Sequence, residues 1–357
     1  MDSMTSSKFD RIDARLLDLI QREFPLAARP FEAIAASLGI PSSEAMERVS
    51  RLKSDGVIRQ ISAIFDSSAL GYSGALTAFR VRPDSIDRVA EQVSSHAGVS
   101  HCYSRDADLN LWFTITLPPE QDIDTEVAAL ARADGVEAHV VLPAIRIFKI
   151  GVFFEQGDRS GRSPSRPTEY GWPHDRSGRS PSRPIEYGCP DQRSGRSPSR
   201  PEPLDAADRA AVRALQKDLP IVGLPFAELA AGAHMTEDEL LSRAARFLET
   251  DVMRRFAAVL RHQRAGYRSN AMVCWRAEPE QIETAGPILA SHPSVSHCYE
   301  RAVYPEWPYP LYTMVHGRDE AELQRAIAEL AESSGLGDFM VLRSVKEYKK
   351  SRVVYFE

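Results

Sequence analysis

Cysteine is scarce in this sequence and never paired at close spacing. The 357 residues contain four cysteines, none in a CxxC arrangement, so the sequence predicts no zinc or iron–sulfur site. There is no apolar run of about 18 residues and no signal-peptide-like segment, which predicts a soluble, cytoplasmic protein that does not enter a membrane. An excess of basic residues is also missing. The formal net charge of -6 disfavours a dedicated nucleic-acid-binding protein.

What the sequence does contain is a repeated string. Val99–Arg105 is VSHCYSR, and Val295–Arg301 is VSHCYER. A match of this length indicates that the chain is an internal duplication. It puts a histidine, a phenol and a guanidinium at equivalent places on a predicted strand of each copy. These residues are His101, Tyr103 and Arg105 in the first copy and His297, Tyr299 and Arg301 in the second.

Each copy predicts two domains. Residues 1–58 and 204–253 show helical spacing of apolar residues with turn signals, which predicts two helix–turn–helix domains. Residues 59–156 and 254–357 each predict the order strand–helix–strand–strand–helix–strand, the ferredoxin-like βαββαβ unit. The predicted fold class is therefore α+β, a tandem duplication of a winged helix–turn–helix and a ferredoxin-like domain. One face of each sheet is left to be covered, usually by a partner sheet.

Two further segments have a distinct composition. Residues 157–203 contain three copies of RSGRSPSRP and almost no aliphatic side chains, which predicts a disordered linker between the two copies. The last strands are predicted at Val136–Leu142 and Phe339–Leu342. The basic residues of Lys346–Arg352 are expected to form a tail after the second of them.

The predicted recognition helices are poor DNA readers. In the first copy, residues 42–53 carry Arg48, Arg51 and Lys53, but also two glutamates. The third helix of the second copy is more acidic than basic. Charge alone therefore disfavours DNA binding, although the helix–turn–helix pattern itself is typical of DNA-binding proteins.

The second copy has extra cationic and aromatic residues near its histidine. The segment from Arg254 to Arg268 contains Arg255, Arg261 and His262, whereas the first copy has Asp66 and Ser67 opposite the last two. A loop with Tyr304 and Trp307 follows the repeated string. Arginines pair with carboxylates and aromatic faces stack on flat rings, so these groups suit a flat polyanionic ligand. The alternative is a solvated basic edge and aromatic residues that pack a core.

Several strings resemble one particular family. The helix–turn–helix and ferredoxin-like order looks like the Lrp/AsnC regulators, and VSHCYER, YPEWPYPLYTMVHGR and SNAMVCW look like the sirohaem decarboxylases built on that fold. Some members of that family have two subunits and others are fusions, which this chain resembles. The resemblance implies removal of carbon dioxide from the C12 and C18 acetates of sirohaem to give 12,18-didecarboxysirohaem. It implies no added cofactor and is compatible with haem binding.

The resemblance also suggests roles for individual residues. The expected proton donors are His262, His297 and His101, because histidine can donate a proton at neutral pH. The expected substrate-binding residues are Arg255, Arg261, Arg268, Tyr299, Arg301, Tyr304 and Trp307, with Tyr103 and Arg105 as their first-copy equivalents. No metal site of the protein's own is expected.

The two halves are expected to pair as a pseudo-heterodimer, with a further homodimer left open. One productive pocket is expected, concentrated in the second half, with the first half supplying the partner sheet and a wall. Two alternatives stay open: a transcription regulator of the Lrp/AsnC type, and a tetrapyrrole or haem sensor without chemistry. Loss of carbon dioxide from bound sirohaem would separate the decarboxylase from the sensor.

Overall fold

The computed structural model describes residues 9–150, 204–260 and 269–357, so the predicted linker lies outside the described residues. These residues form ten helices and ten strands. The helices are α1 (Arg11–Arg22), α2 (Pro30–Leu38), α3 (Ser42–Ser54), α4 (Ile86–Ser95), α5 (Ile123–Leu130), α6 (Ala206–Leu215), α7 (Pro225–Ala231), α8 (Glu237–Glu249), α9 (Pro279–Ser291) and α10 (Glu320–Ser334). The strands are β1 (Ile58–Phe65), β2 (Ser73–Val81), β3 (Val99–Arg105), β4 (Leu111–Leu117), β5 (Val136–Ile150), β6 (Met253–Leu260), β7 (Ser269–Trp275), β8 (Val295–Arg301), β9 (Leu311–Gly317) and β10 (Phe339–Lys350).

The two helical domains are tied to each other by a two-stranded sheet. Strand β1 pairs antiparallel with β6, so the wing of each copy is completed by the other. Helices of both copies pack on this ladder in one shared core that includes Phe24, Phe31, Phe226 and Phe256. Aromatic rings of the two copies meet directly there, with the Phe24 and Phe256 centroids 5.9 Å apart.

A buried aspartate in the first helix holds the third helix of each helical domain. Asp10 caps α1 and Asp13 completes the capping box, yet Asp13 is only 3% exposed. Its carboxylate accepts hydrogen bonds from Arg48 at 2.9 Å and from Arg51 at 2.7 Å, both on α3. The second copy repeats this arrangement, with Asp208 accepting from two arginines of α8. The main basic side chains of the helix that would contact DNA therefore form ion pairs within the protein.

The ferredoxin-like halves close into one eight-stranded barrel in the order β10-β3-β4-β2-β5-β8-β9-β7. The last strand of each half bends from its own sheet into the other one. Strand β5 pairs with β2 up to Pro143 and with β8 from Ala144 onwards. Strand β10 pairs with β7 up to Arg343 and with β3 from Ser344 onwards. The open face of each predicted sheet thus becomes half of the barrel interior.

This exchange corrects the predicted ends of the last strands. The sequence predicted strands that stop at Leu142 and Leu342, followed by a basic tail, but the strands continue to Ile150 and Lys350. The outer half of β10 is polar and lacks the apolar alternation by which a strand is recognised, whereas the outer half of β5 is rich in isoleucine. They are strands because the backbone of the other copy supplies the hydrogen bonds, and strand formation depends on such tertiary context.

Helices cover the outside of the barrel, and aromatic residues fill part of its interior. Helices α4 and α5 pack on the first half and α9 and α10 on the second, each over an apolar core. Inside the barrel a separate cluster contains Trp112, Cys274, Trp307 and Tyr312. The centroids of Trp112 and Trp307 are 5.3 Å apart, so one residue of each copy meets there. No helix among the described residues is long and apolar enough to cross a membrane.

Candidate functional site

A cavity of about 1560 Å³ lies between the helical layer and one end of the barrel. Its walls come from the β1–β6 ladder, from α6 and from the chain after β10, and the ends of β3, β5, β8 and β10 complete it. The volume exceeds the roughly 300–1,000 Å³ of most small-molecule sites. The space therefore suits a ligand larger than a typical metabolite, and both copies contribute to it.

The barrel contributes one histidine of each copy to this cavity, His101 and His297, and the exposed His234 of the helical layer also lines it. His101 and His297 lie at the ends of β3 and β8, and each is partly buried. In each ring Nδ1 lies within hydrogen-bond distance of the preceding serine, at 3.1 Å for Ser100 and 2.8 Å for Ser296. The serine therefore orients the ring and leaves Nε2 as the nitrogen that a bound molecule can reach.

Both imidazoles are held neutral by their surroundings. Burial lowers the pKa of His101 to about 4, and the charges of Lys350 and Arg59 add to the effect. Burial also lowers the pKa of His297 to about 4, with further contributions from His101 and Arg255. At neutral pH each ring therefore carries one proton and can act as donor or acceptor, depending on which nitrogen holds it.

Behind each histidine a tyrosine and an arginine follow on the same face of the strand. His297 stacks on Tyr299 with centroids 6.1 Å apart, and the guanidinium of Arg301 lies 4.7 Å from the Tyr299 centroid. In the first copy His101 stacks on Tyr103 at 6.3 Å, and Arg105 lies 5.7 Å from that ring. The repeated string thus forms two parallel rows that lead from the cavity into the barrel.

The arginines of these rows bind the opposite copy. Arg105 donates to the carbonyl of Leu342 at 2.8 Å, and Arg301 donates to that of Leu142 at 2.7 Å. Both guanidinium groups are buried, and burial lowers the pKa of each. Neither these arginines nor Tyr103 and Tyr299 line the cavity, so all four act on it only through the two histidines.

The charged side chains in the described walls of the cavity are mostly cationic. Two glutamates, Glu347 and Glu357, also line it. The cationic side chains in the walls are those of Arg59, Arg213, Lys217, Arg255, Lys350 and Arg352. Arg352 donates to Ser62 and is buried enough for its pKa to fall to about 10. An excess of positive charge in a concave site attracts and retains a polyanionic ligand.

The charge is unevenly divided between the two histidines. Lys350 of β10 lies opposite His101, whereas the residue opposite His297 is Ile150 of β5. Glu347, on the same strand as Lys350, lies opposite Tyr103. Glu347 and Lys350, which belong to the second half of the chain, thus lie beside His101 of the first half. Strand exchange builds the cavity from both copies, so the first half supplies a histidine as well as a wall, and the concentration of function in the second half stays a prediction.

The structure brings together only some of the residues predicted for the site. His101, His297 and Arg255 line the cavity, while Arg261, His262 and Arg268 lie outside the described residues. Their first-copy counterparts have protein partners. Asp66 accepts from Arg254 at 2.6 Å, and the hydroxyl of Ser67 lies 2.7 Å from that of Tyr355.

The aromatic loop of the second copy lies beyond the other end of its strand. Tyr304 donates to the carbonyl of Val141 at 2.7 Å, and Trp307 donates to the hydroxyl of Tyr312 at 2.8 Å. Neither Tyr304 nor Trp307 lines the cavity. Their contacts help to fill the barrel interior and join the two copies.

Several residues that line the cavity were not predicted as site residues from the sequence, above all Arg59, Glu347, Lys350 and Arg352. The signal that could have found them is the comparison of the two last strands. Where β5 and the residues after it have Ile147, Ile150 and Val152, the second copy has Glu347, Lys350 and Arg352. Among the residues that the structure describes, no cluster of histidine, cysteine, aspartate and glutamate could hold a metal ion.

Comparison with known proteins shows the same two-domain duplication. A family model described as "AsnC-like ligand binding domain" matches residues 69–149 and 264–349, and one described as "Siroheme decarboxylase NirDL-like HTH domain" matches residues 13–59 and 208–254. The siroheme decarboxylase of Hydrogenobacter thermophilus is 33% identical over 98% of this chain and 95% of its own length. The siroheme decarboxylase beta subunit of Desulfovibrio desulfuricans is 40% identical over 42% of this chain and 94% of its own length.

A solved structure agrees over nearly the whole chain. The crystal structure of the siroheme decarboxylase NirDL in complex with an iron-uroporphyrin III analogue matches with a TM-score of 0.70 and 29% identity. The match covers 97% of this chain and 95% of that one. The bound analogue in that structure is a tetrapyrrole.

Proposed function

The chain belongs to the sirohaem decarboxylase family and is a carboxy-lyase acting on sirohaem, and we propose that it carries out this reaction in the cavity between the barrel and the helical layer. The two acetates removed are those at C12 and C18, and the product is 12,18-didecarboxysirohaem. The tetrapyrrole is the substrate, and the proposed reaction uses no added cofactor.

The observation that carries this proposal is the pair of histidines on one cationic cavity. Loss of carbon dioxide leaves an electron pair on a carbon next to a pyrrole ring, and that carbon must then receive a proton. His101 and His297 present Nε2 to the cavity because Nδ1 is engaged by serine. A positioned histidine is a common general acid, so these two residues are the proposed proton donors. His262 remains a candidate beside them.

The carboxylates of the substrate need cations to replace their hydration. Arg255 is the predicted anchor that lines the cavity, and Arg59, Lys350 and Arg352 join it there. Arginine binds a carboxylate with two parallel hydrogen bonds, while lysine acts as a compact charge. Arg261 and Arg268 stay proposed anchors.

The tyrosines and inner arginines are proposed to support the site. Tyr103 and Tyr299 stack on the two histidines, and Arg105 and Arg301 hold those tyrosines through cation–π contacts. Such contacts contribute roughly 0.5–2 kcal/mol each. Their proposed role is to fix the imidazole planes. Tyr304 and Trp307, proposed from the sequence to bind substrate, would act on the cavity only through the barrel interior.

Anaerobic incubation with sirohaem tests the proposal. We expect the mass of the product to show loss of two carbon dioxide units. His101→Ala and His297→Ala should each still bind sirohaem but slow its conversion, roughly 100-fold or more for a lost general acid. His139→Ala is the matched control, because His139 is exposed and lies outside the cavity.

Three outcomes would contradict the proposal. Clean binding of sirohaem without loss of mass would make the protein a tetrapyrrole sensor. Full activity in both cavity variants would remove His101 and His297 as donors. Salt-sensitive binding of DNA would favour a regulator, which the use of Arg48 and Arg51 by Asp13 disfavours.

A further inference from the structure

The hydroxyl of Ser296 lies between two imidazole rings. Its Oγ is 2.8 Å from Nδ1 of His297 and 2.6 Å from Nε2 of His316. A hydroxyl carries one proton, so it donates to one ring and accepts from the other. The proton on His297 is therefore coupled to the proton on His316. His316 is only 8% exposed and does not line the cavity, so it contacts the site through Ser296.

The first copy has a different arrangement at the same place. Ser100 lies 3.1 Å from Nδ1 of His101 and 2.8 Å from the hydroxyl of Thr114. Strand register is identical in the two copies, and the residue opposite His297 is Met314, which has no hydroxyl. The bridging serine of the second copy is therefore bonded to a second imidazole. That of the first copy is bonded to a threonine, which does not titrate near neutral pH.

We propose that Ser296 and His316 are positioning residues that hold His297 with its proton on Nε2, facing the cavity. This inference rests on the proposed decarboxylation. It makes the two histidines unequal, because the ring of His297 is held through a serine and a second histidine, whereas that of His101 is held through a serine and a threonine.

The reaction breaks the bond between the acetate carbon and its carboxylate, and carbon dioxide leaves while the electron pair stays on the carbon. That carbon takes the Nε2 proton of His297, and the hydroxyl of Ser296 keeps its hydrogen bond to Nδ1. Water then returns a proton to Nε2, so the ring regains the protonation state in which it began.

The buried position of His297 makes this hydrogen bond important. Burial keeps the ring neutral, and a neutral imidazole is a weak acid because the ring becomes negatively charged when it gives up its proton. A hydrogen bond donated by Ser296 to Nδ1 stabilises that negative charge as it develops.

Nitrogen NMR of the ligand-free protein labelled at histidine tests the coupling without any substrate. The ring nitrogens of His297 should report protonation at Nε2 in the wild type. Ser296→Ala should shift the His297 signals and leave those of His101 in place, while the matched control Ser100→Ala does the reverse. Unchanged His297 signals in Ser296→Ala would overturn the coupling.

Turnover then tests whether the coupling is used. Ser296→Ala and His316→Gln should bind sirohaem normally and convert it about 10- to 100-fold more slowly. Ser296→Thr keeps the hydroxyl and should recover most of the rate, which a purely structural role of the serine side chain would not predict. A normal rate in His316→Gln would overturn the inference. Failure of the proposed function would instead show as a wild-type protein that releases no carbon dioxide.

Discussion

The free energy of unfolding of the ligand-free protein should fall steeply as the pH drops below the pKa of histidine in the unfolded chain. In the folded protein His101 and His297 both have a pKa of about 4, while the ordinary pKa of histidine is 6.5. Between these values the unfolded chain binds protons that the folded chain does not. The free energy of unfolding therefore decreases as the pH falls from 6.5 and stops decreasing near 4.

The size of this effect follows from the two pKa values. One pKa unit corresponds to about 1.4 kcal/mol, so the full effect is about 3 kcal/mol for each histidine. At about pH 5 roughly 2 kcal/mol of it has been lost per ring. Burial is the first cause for both rings, and charges in the cavity wall, such as Lys350 for His101, add to it. Against a typical domain stability of about 5–15 kcal/mol the loss is large.

Urea unfolding at about pH 7.5 and about pH 5 measures this loss in the free energy of unfolding. Other groups also titrate in this range, so the decisive quantity is the difference between the wild type and a variant. His101→Asn and His297→Asn should each lose about 2 kcal/mol less than the wild type on this change of pH. His139→Asn is the control, because that ring is exposed. If both cavity variants follow the wild type in parallel, the rings are not buried as described and the reasoning fails.

Two further predictions concern the scaffold. Asp13→Asn should lower the free energy of unfolding by about 2–3 kcal/mol, because Arg48 and Arg51 both donate to this buried carboxylate. Thermal unfolding of the variant and the wild type measures the change, and an unaltered melting temperature would contradict it. Gly286→Ala should destabilise by about 1–3 kcal/mol, since the added Cβ would lie 2.3 Å from the Phe148 ring of the exchanged strand. In a Phe148→Leu background the same change should become neutral, and an equal loss in both backgrounds would rule out this contact.

Much of the local structure could be predicted from the sequence because its signals are local. The helix caps, the apolar spacing of the helices and the repeated histidine strand are each encoded by residues within a few positions of the structure that they determine. The helices α1 and α8 begin after Asp10 and Thr236, whose side chains accept from the backbone of the first turn. The identity of the two copies made the duplication evident in the same way.

The path of the last strands could not be predicted, because it depends on residues far away in the chain. Nothing near Lys350 indicates that its backbone will pair with the strand of His101. Polar residues such as Glu347 and Lys350 therefore seemed to belong to a tail. Tyr304 and Trp307 show the converse case. Aromatic residues in a loop are typical of a binding surface, but the hydrogen bonds of these two lie within the barrel.

Strand exchange also explains how a duplicated chain can bind an asymmetric substrate in one orientation. Two identical copies would form a symmetric cavity, and a ligand could bind it equally well after a half-turn. Here His101 faces Lys350 while His297 faces Ile150, so the two orientations place the ligand's carboxylates against different walls. A difference of only about 1.4 kcal/mol between the two orientations favours one of them tenfold. Divergence of β10 from β5 is therefore sufficient to make two equivalent histidines face different parts of the same molecule.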